Sequence, residues 1–254
     1  LHAYQADPLA EVDQIIAEHP DFAMAHAFRA GALATATDKA FEPELIRSVA
    51  AAVALAPRAN DRERMHIAAA RAWLDGDWER ATETWGRASI AYPRDLLALQ
   101  YAHVGDFFLG YSHMLRDRVA RVLPHWNRSV PGYGFTMGMY AFGLEEAGEY
   151  EQAEARGREA VALNRQDGWA VHAVTHVMEM QGRAVEGADF LAAGADGWAP
   201  NSMFAYHLWW HKALFHLDAN DAAAALNLFD EKISAGDFGQ ALELLDGSSL
   251  LWRL

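Results

Sequence analysis

The chain has 254 residues, of which 52% are apolar and 22% charged, a composition typical of folded globular proteins. Its formal net charge of −14 disfavours nucleic acid as a partner, because an acidic surface repels phosphate groups. No stretch approaches the roughly 18 consecutive apolar residues of a membrane-spanning helix. The absence of cysteine excludes disulfides, thiolate catalysis and cysteine-based zinc sites.

Alanine is abundant and only 8 prolines are present, which favours helix throughout. The first predicted element is a helix from about Pro8 to Glu18. A clear repeat follows further along, where a turn residue, aromatic residues, small residues and a proline recur at fixed offsets. In the best example these positions are Gly76, Trp78, Ala81, Trp85, Ala88 and Pro93. Such offsets are typical of tetratricopeptide hairpins, in which small residues let two antiparallel helices approach each other.

The same offsets recur along the chain and divide it into hairpins. Their first helices are predicted to begin near His26, Arg62, Leu96, Gly134, Gly168 and Tyr206, and a further helix near Phe238. The intervals are close to the 34 residues of this repeat class. We therefore predict an all-α fold, an α-solenoid of about six such hairpins wound as a right-handed superhelix. Residues 1–254 would form one domain. A helical bundle without repeats is the structural alternative.

In a solenoid of this kind the first helix of each hairpin lines the concave wall. The positions predicted to face this wall include no Lys or Arg, and they carry aromatic, histidine and glutamate side chains. Phe142, Trp169 and Trp210 are among them. This composition suits a small, largely apolar ligand, although a wall that closes on itself as core would look the same.

Histidines are concentrated on two neighbouring first helices. The segment VHAVTHVMEM places His172, His176 and Glu179 on one helical stripe, and FAYHLWWHKALFH places His207 and His211 four residues apart. Because neighbouring helices pack about 8–10 Å apart, the two pairs are predicted to converge.

Three interpretations of these histidines stay open. They are hydrogen-bonded packing residues, ligands of a divalent metal, or groups for metal-free general acid/base chemistry. The first helix lacks the glutamate that follows the first histidine of zinc proteases, since Ala173 stands there. We predict His172, His176 and Glu179 as catalytic residues. The predicted metal ligands are His172, His176, His207 and His211. The predicted ligand-binding residues are His207, His211, Trp169, Trp210, Phe142, Tyr140 and His103.

Two further segments are ambiguous. The Gly-rich stretch PGYGFTMGMYAFG contains Tyr133 and Tyr140, and it fits either a loop that shapes a ligand site or close helix packing. In LLDGSSLLW, Asp246, Ser248 and Ser249 would face the same cavity as the histidines or form a turn. The run from Arg116 to Arg118 is interpreted as a solvated or salt-bridged helix face.

Several segments resemble the tetratricopeptide repeat protein 38 family. They are HVGDFFLGY and RDRVAR (from His103), YAFGLEE (from Tyr140), WAVHAVTHVMEMQG (from Trp169), FAYHLWWHKALFHL (from Phe204) and SSLLWRL at the end. The resemblance covers most of the chain and implies a helical-repeat protein, truncated here at both ends relative to the family. It implies no activity, so it assigns no catalytic residue.

The leading hypothesis is a cytoplasmic protein that binds a small molecule in a histidine, glutamate and aromatic pocket on its concave wall. Whether it is an enzyme is left open, and a divalent metal is the predicted cofactor. The alternative is a scaffold that binds a peptide or helix along the groove, which is the usual role of this repeat. A homodimer through the ends of the repeat array is a third hypothesis. Neither nucleic acid nor membrane is predicted as a partner.

Overall fold

A computed structural model describes residues 7–234 and 241–254, and this part of the chain contains fourteen α-helices and no β-strand. The all-α prediction is therefore confirmed. The helices are α1 (Pro8–Glu18), α2 (Ala23–Thr35), α3 (Glu42–Leu55), α4 (Asp61–Leu74), α5 (Trp78–Ala91), α6 (Leu96–Leu109), α7 (Ser112–Val122), α8 (Tyr133–Glu146), α9 (Tyr150–Leu163), α10 (Gly168–Met180), α11 (Ala184–Trp198), α12 (Ala205–Asp218), α13 (Ala222–Leu228) and α14 (Ala241–Arg253). Within the described residues, no helix is long and apolar enough to cross a membrane.

The helices follow the predicted repeat. The first helices of the six predicted hairpins are α2, α4, α6, α8, α10 and α12, and each begins within three residues of its expected start. Each of them packs against the helix that follows it and, within the repeat, against the first helix of a neighbouring hairpin. The predicted helix near the N-terminus is α1. The predicted start near Phe238 lies outside the described residues, and the last helix is described from Ala241. The tetratricopeptide nature of the repeat, the solenoid and its right-handed superhelix stay predictions.

The sequence shows why these hairpins close where they do. Between α4 and α5, Gly76 adopts a left-handed backbone (φ 82°), which glycine reaches without steric cost. The next residue, Asp77, accepts a hydrogen bond from the backbone N–H of Arg80 and so caps the start of α5. A left-handed turn followed by a capping side chain ends one helix and starts the next within three residues.

The predicted packing role of the repeat aromatics is confirmed for two of the three tryptophans. Trp85 is fully buried and packs against Trp73 and Tyr101, with ring centroids 5.9 and 5.1 Å apart. Trp78 stacks on Trp73 at 4.7 Å but keeps a third of its surface exposed. This set is interhelical core.

The 116–118 run is salt-bridged, which is one of the two alternatives of its interpretation, but Arg118 does not lie on a solvated face. Arg116 forms ion pairs with Asp117 and Glu149, as expected for a salt-bridged face. Arg118, however, is buried, and its Nε donates to the buried Asp106 at 2.5 Å. This pair links α6 to α7. Both charges can be buried because each compensates the desolvation of the other.

Helices α7 and α8 approach each other too closely for a side chain at Gly143. A Cβ built there would overlap the backbone of Leu115 and Arg116, which cannot move aside as a flexible side chain can. At Gly134, on the same helix, an added Cβ would meet Leu163 at an ordinary contact distance of 3.5 Å. Glycine is therefore sterically required at position 143, whereas at position 134 a larger residue would fit.

We predict that Gly143→Ala lowers the free energy of unfolding by about 1–3 kcal/mol, because overpacking forces the two helices apart. Gly134→Ala is the matched control, and we expect it to be neutral or to stabilise by up to about 1 kcal/mol. Chemical denaturation of both variants measures the difference. Equal midpoints would show that α7 and α8 are not in this close contact.

Glu154 links the start of α11 to α9. Its carboxylate lies 2.6 Å from Arg183 Nη1 and 2.7 Å from Arg158 Nη2. The hydrogen bond from Arg183, together with Arg158, lowers the pKa of Glu154 to about 2 against partial burial, which acts the other way.

A carboxylate whose pKa is depressed on folding stabilises the protein above its unfolded pKa and loses that contribution as the pH falls through the folded value. We therefore predict that Glu154→Gln is less stable than the unmodified chain at neutral pH, and that the difference disappears between about pH 4.5 and 2. Denaturant midpoints measured across this pH range test it. The exposed Glu151 on the same helix supplies the control variant Glu151→Gln, for which we expect no such pH-dependent difference.

Candidate metal centre

Four imidazoles converge between α10 and α12. His172 and His176 lie one helical turn apart on α10, and His207 and His211 lie one turn apart on α12. One ring nitrogen from each of the four lies within 4.8 Å of those of the other three. The two histidine pairs thus meet at one place, as expected from their spacing.

In three of the four imidazoles, the Nε2 atom faces the Nε2 atom of a neighbouring ring. The Nε2 atoms of His172 and His207 are 3.0 Å apart, and those of His207 and His211 are 3.2 Å apart. His172 and His211 are almost completely buried, whereas the side chains of His176 and His207 keep 25% and 21% of their surface exposed. The cluster therefore has a closed side and a side that faces solvent.

Carboxylates hold the opposite nitrogen of three of these rings. Nδ1 of His207 donates to Asp246 at 2.7 Å, and Nδ1 of His211 donates to Glu179 at 2.7 Å. Nδ1 of His176 donates to Glu145 at the longer distance of 3.3 Å. A histidine that ligates a metal usually donates its other ring N–H to such a carboxylate, which fixes the tautomer and the ring orientation.

Burial and these hydrogen bonds limit which ring nitrogens of the cluster carry a proton. Burial, assisted by the neighbouring imidazoles, holds the pKa of both His172 and His211 well below the usual value, so both rings are neutral at neutral pH. A neutral imidazole has one N–H, and His211 uses it for Glu179. Its Nε2 therefore presents a lone pair to Nε2 of His207. With no proton on Nε2 of His207 either, two lone pairs would face each other at 3.2 Å and repel unless a cation lay between them.

The carboxylates around the imidazoles also favour a cation at the centre. Glu145, Glu179 and Asp246 surround the imidazoles, and none of the Arg or Lys ion pairs in residues 7–234 and 241–254 involves them. Burial raises the pKa of Glu179, which shows that the site does not compensate this carboxylate fully. A positive ion at the centre would favour the charged form of all three carboxylates.

The geometry suits a transition metal. With metal–nitrogen bonds of about 2.0–2.1 Å, two ligands of a tetrahedral zinc ion lie ~3.3 Å apart. The observed separations of 3.0 and 3.2 Å are close to this value. The chain thus holds three nitrogen donors at nearly the spacing of a zinc shell, with His176 in reach as a fourth.

Aromatic rings enclose the buried side of the cluster. Phe142 stacks on His172 at 5.6 Å, Trp210 stacks on His207 at 5.3 Å, and Trp169 lies 5.3 Å from His172. Phe204 contacts His172 and His207 as well. These contacts exclude water from the closed side and hold the rings in position.

Other predicted ligand-binding residues lie away from the imidazole nitrogens. His103 is buried one layer behind the cluster and contacts Phe142 and Trp169. Tyr140 packs among apolar core residues on α8 and its neighbours, and Tyr133 donates its hydroxyl to Glu159. One surface cleft lies beside Arg62 and Asp95 and another beside Gly148 and Gln181, and neither contains any of the four clustered histidines. A pocket beside the cluster therefore stays a prediction.

The turn interpretation of LLDGSSLLW is wrong, because this segment is part of α14. On the helix, Asp246 and Ser249 are about one turn apart and both face α12. Asp246 accepts from His207, and Ser249 Oγ accepts from Trp210 Nε1 at 2.9 Å. Ser248 points outward and is exposed.

Sequence reasoning did not identify Glu145 as a site residue. It lies on the predicted inward stripe of α8, where a buried carboxylate without a cation is itself a signal. No known family model matches the chain.

Helix α14 is fastened over the site mainly by polar contacts, because Leu250 is its one buried apolar side chain. We predict that Asp246→Ala loosens this helix, with amide exchange in residues 241–253 accelerated about tenfold, since the substitution removes a charged hydrogen bond worth about 1.5–3 kcal/mol. Hydrogen–deuterium exchange measures this. The control Ser248→Ala alters an exposed position on the same helix, and an equal acceleration there would contradict the assigned role of Asp246.

Proposed function

We propose that this protein binds one divalent late-transition-metal ion, of the Zn²⁺ class, through Nε2 of His172, His207 and His211. The observation that carries the proposal is the convergence of three Nε2 atoms at 3.0 and 3.2 Å while the Nδ1 atoms of His207 and His211 are held by carboxylates. A neutral His172 can donate its Nε2–H to Nε2 of His207, but the contact between His207 and His211 has no donor while both of these rings are neutral.

A proton on Nε2 of His207 is the simplest competitor, because it would turn the two short contacts into hydrogen bonds. It would bring a single charge to a site surrounded by three carboxylates. A divalent ion accounts for the inward donors and the outer carboxylates together.

The donor set indicates the class of metal. All the inward atoms are imidazole nitrogens, which suit Zn²⁺, Co²⁺, Ni²⁺, Cu²⁺ and Fe²⁺. Mg²⁺ and Ca²⁺ prefer oxygen ligands and are not expected to compete. Because the ligands come from α10 and α12, the ion would tie two neighbouring hairpins together.

The hypothesis of a small-molecule site follows from the same centre, since a metal on a partly exposed wall can coordinate a ligand. Membership of the tetratricopeptide repeat protein 38 family also remains a proposal, supported by the segments that contain these histidines. The scaffold and homodimer hypotheses are independent of the metal and stay predictions.

We predict that chelator-treated protein takes up one Zn²⁺ or Co²⁺ per chain and melts at a higher temperature with the ion, because the ion binds only the folded arrangement. His207→Gln should weaken the metal affinity by more than about 100-fold, since it removes the central ligand of the three. Titration followed by elemental analysis measures the stoichiometry, and Mg²⁺ serves as the negative ion control.

The chain offers a matched control on the same helix. His216 lies on another face of α12, where its Nδ1 is 3.9 Å from Asp221. His216→Gln should retain full stoichiometry and affinity. A chain that binds none of these ions, with a melting temperature indifferent to both metal and chelator, would refute the proposed function.

A further inference from the structure

The four histidines are not equivalent, and the difference concerns what else the metal binds. Resting on the proposed function, we infer that the ion keeps one exchangeable coordination position beside His176, which takes water or another small monodentate donor. His176 is then the polar neighbour of that position, a hydrogen-bond partner of the donor that occupies it, and not a permanent ligand.

The first argument is the arrangement of ring nitrogens. The contacts of hydrogen-bond length join His172 to His207 and His207 to His211, so these three rings occupy three corners of a tetrahedral shell. Three protein ligands with an open fourth corner are the arrangement of catalytic zinc sites, whereas structural sites use four.

The second argument is how each ring is held. The hydrogen bonds that fix His207 and His211 to their carboxylates measure 2.7 Å, and the bond from His176 to Glu145 measures 3.3 Å. His176 also has the most exposed side chain of the four, at 25%. A ring held by a longer bond and open to solvent is less constrained than the other rings of the cluster.

The third argument is the contrast between the two sides of the cluster. Trp169 and Phe204 contact His172, with ring centroids 5.3 and 5.2 Å away, and leave little room for a ligand on that side. On the side of His176 lie Glu145 and Glu146, and the three residues each place a donor atom within 4.8 Å of the others. A small donor can enter on this polar side, and the carboxylates disfavour a bulky or strongly anionic one.

The position has a direct chemical use. A bound zinc ion would supply Lewis acidity there and make a coordinated water a far stronger acid than bulk water, with a pKa of about 7. His176, whose Nδ1 is held by Glu145, would lie beside such a donor and accept a hydrogen bond from it.

Cobalt-substituted full-length chain provides the test, because the visible spectrum of Co²⁺ reports its coordination. We expect azide, used as the small probe donor, to change this spectrum saturably while Co²⁺ stays bound at one per chain. We expect His176→Gln to weaken Co²⁺ binding by at most about tenfold and to alter the apparent azide affinity at least about threefold. His211→Gln should weaken Co²⁺ binding by more than about 100-fold, as for a permanent ligand.

The outcomes separate the inference from the proposed function. If Co²⁺ binds, azide leaves the spectrum unchanged and His176→Gln costs as much affinity as His211→Gln, the site is a closed four-histidine centre. In that case the open position is refuted and the metal site stands. If Co²⁺ does not bind at all, both fail. Circular dichroism of each variant confirms that it has folded.

Discussion

The histidine cluster depends on one electrostatic constraint, which is that unprotonated imidazole nitrogens do not tolerate each other at 3 Å without a cation between them. The outer carboxylates create this constraint. By accepting from Nδ1 of His207 and His211, they commit the N–H of each neutral ring to the outside and leave the lone pair facing inward. Burial then keeps His172 and His211 from gaining a second proton. These contacts support the proposal of a metal ion at the centre.

The fold provides this arrangement because a helical repeat places equivalent positions side by side. His172 lies on the inward stripe of α10 and His207 on that of α12, and a spacing of four residues adds a second histidine to each stripe. Glu145 reaches the same cluster from the preceding first helix, α8. Asp246 reaches it from α14. One repeated geometry therefore brings four helices to one cluster.

The sequence predicted the parts of this structure that follow from periodicity. Hairpin starts were placed within three residues because turn glycines and small packing residues recur at a fixed interval. The meeting of His172 with His207 followed from the same register. Contacts between elements far apart in sequence were less predictable. Asp246 lies 39 residues from His207, in a segment whose Asp-Gly-Ser-Ser composition favours a turn, and its packing against α12 outweighs that local preference. Glu145 was not predicted as a site residue, because its pairing with His176 depends on rotamers that no pattern specifies.

A metal at this position would also change how the repeat array behaves as a whole. Where each helical hairpin contacts its neighbours only, stability is close to a sum of local interfaces, and elements with few apolar contacts open most easily. Helix α14 is such an element, since Leu250 is its one buried apolar side chain. The ion would bind α10 and α12 directly and, by polarising the ring of His207, strengthen the hydrogen bond that holds Asp246. Occupancy of the centre and docking of α14 would then be linked, because whatever favours one must favour the other by the same free energy.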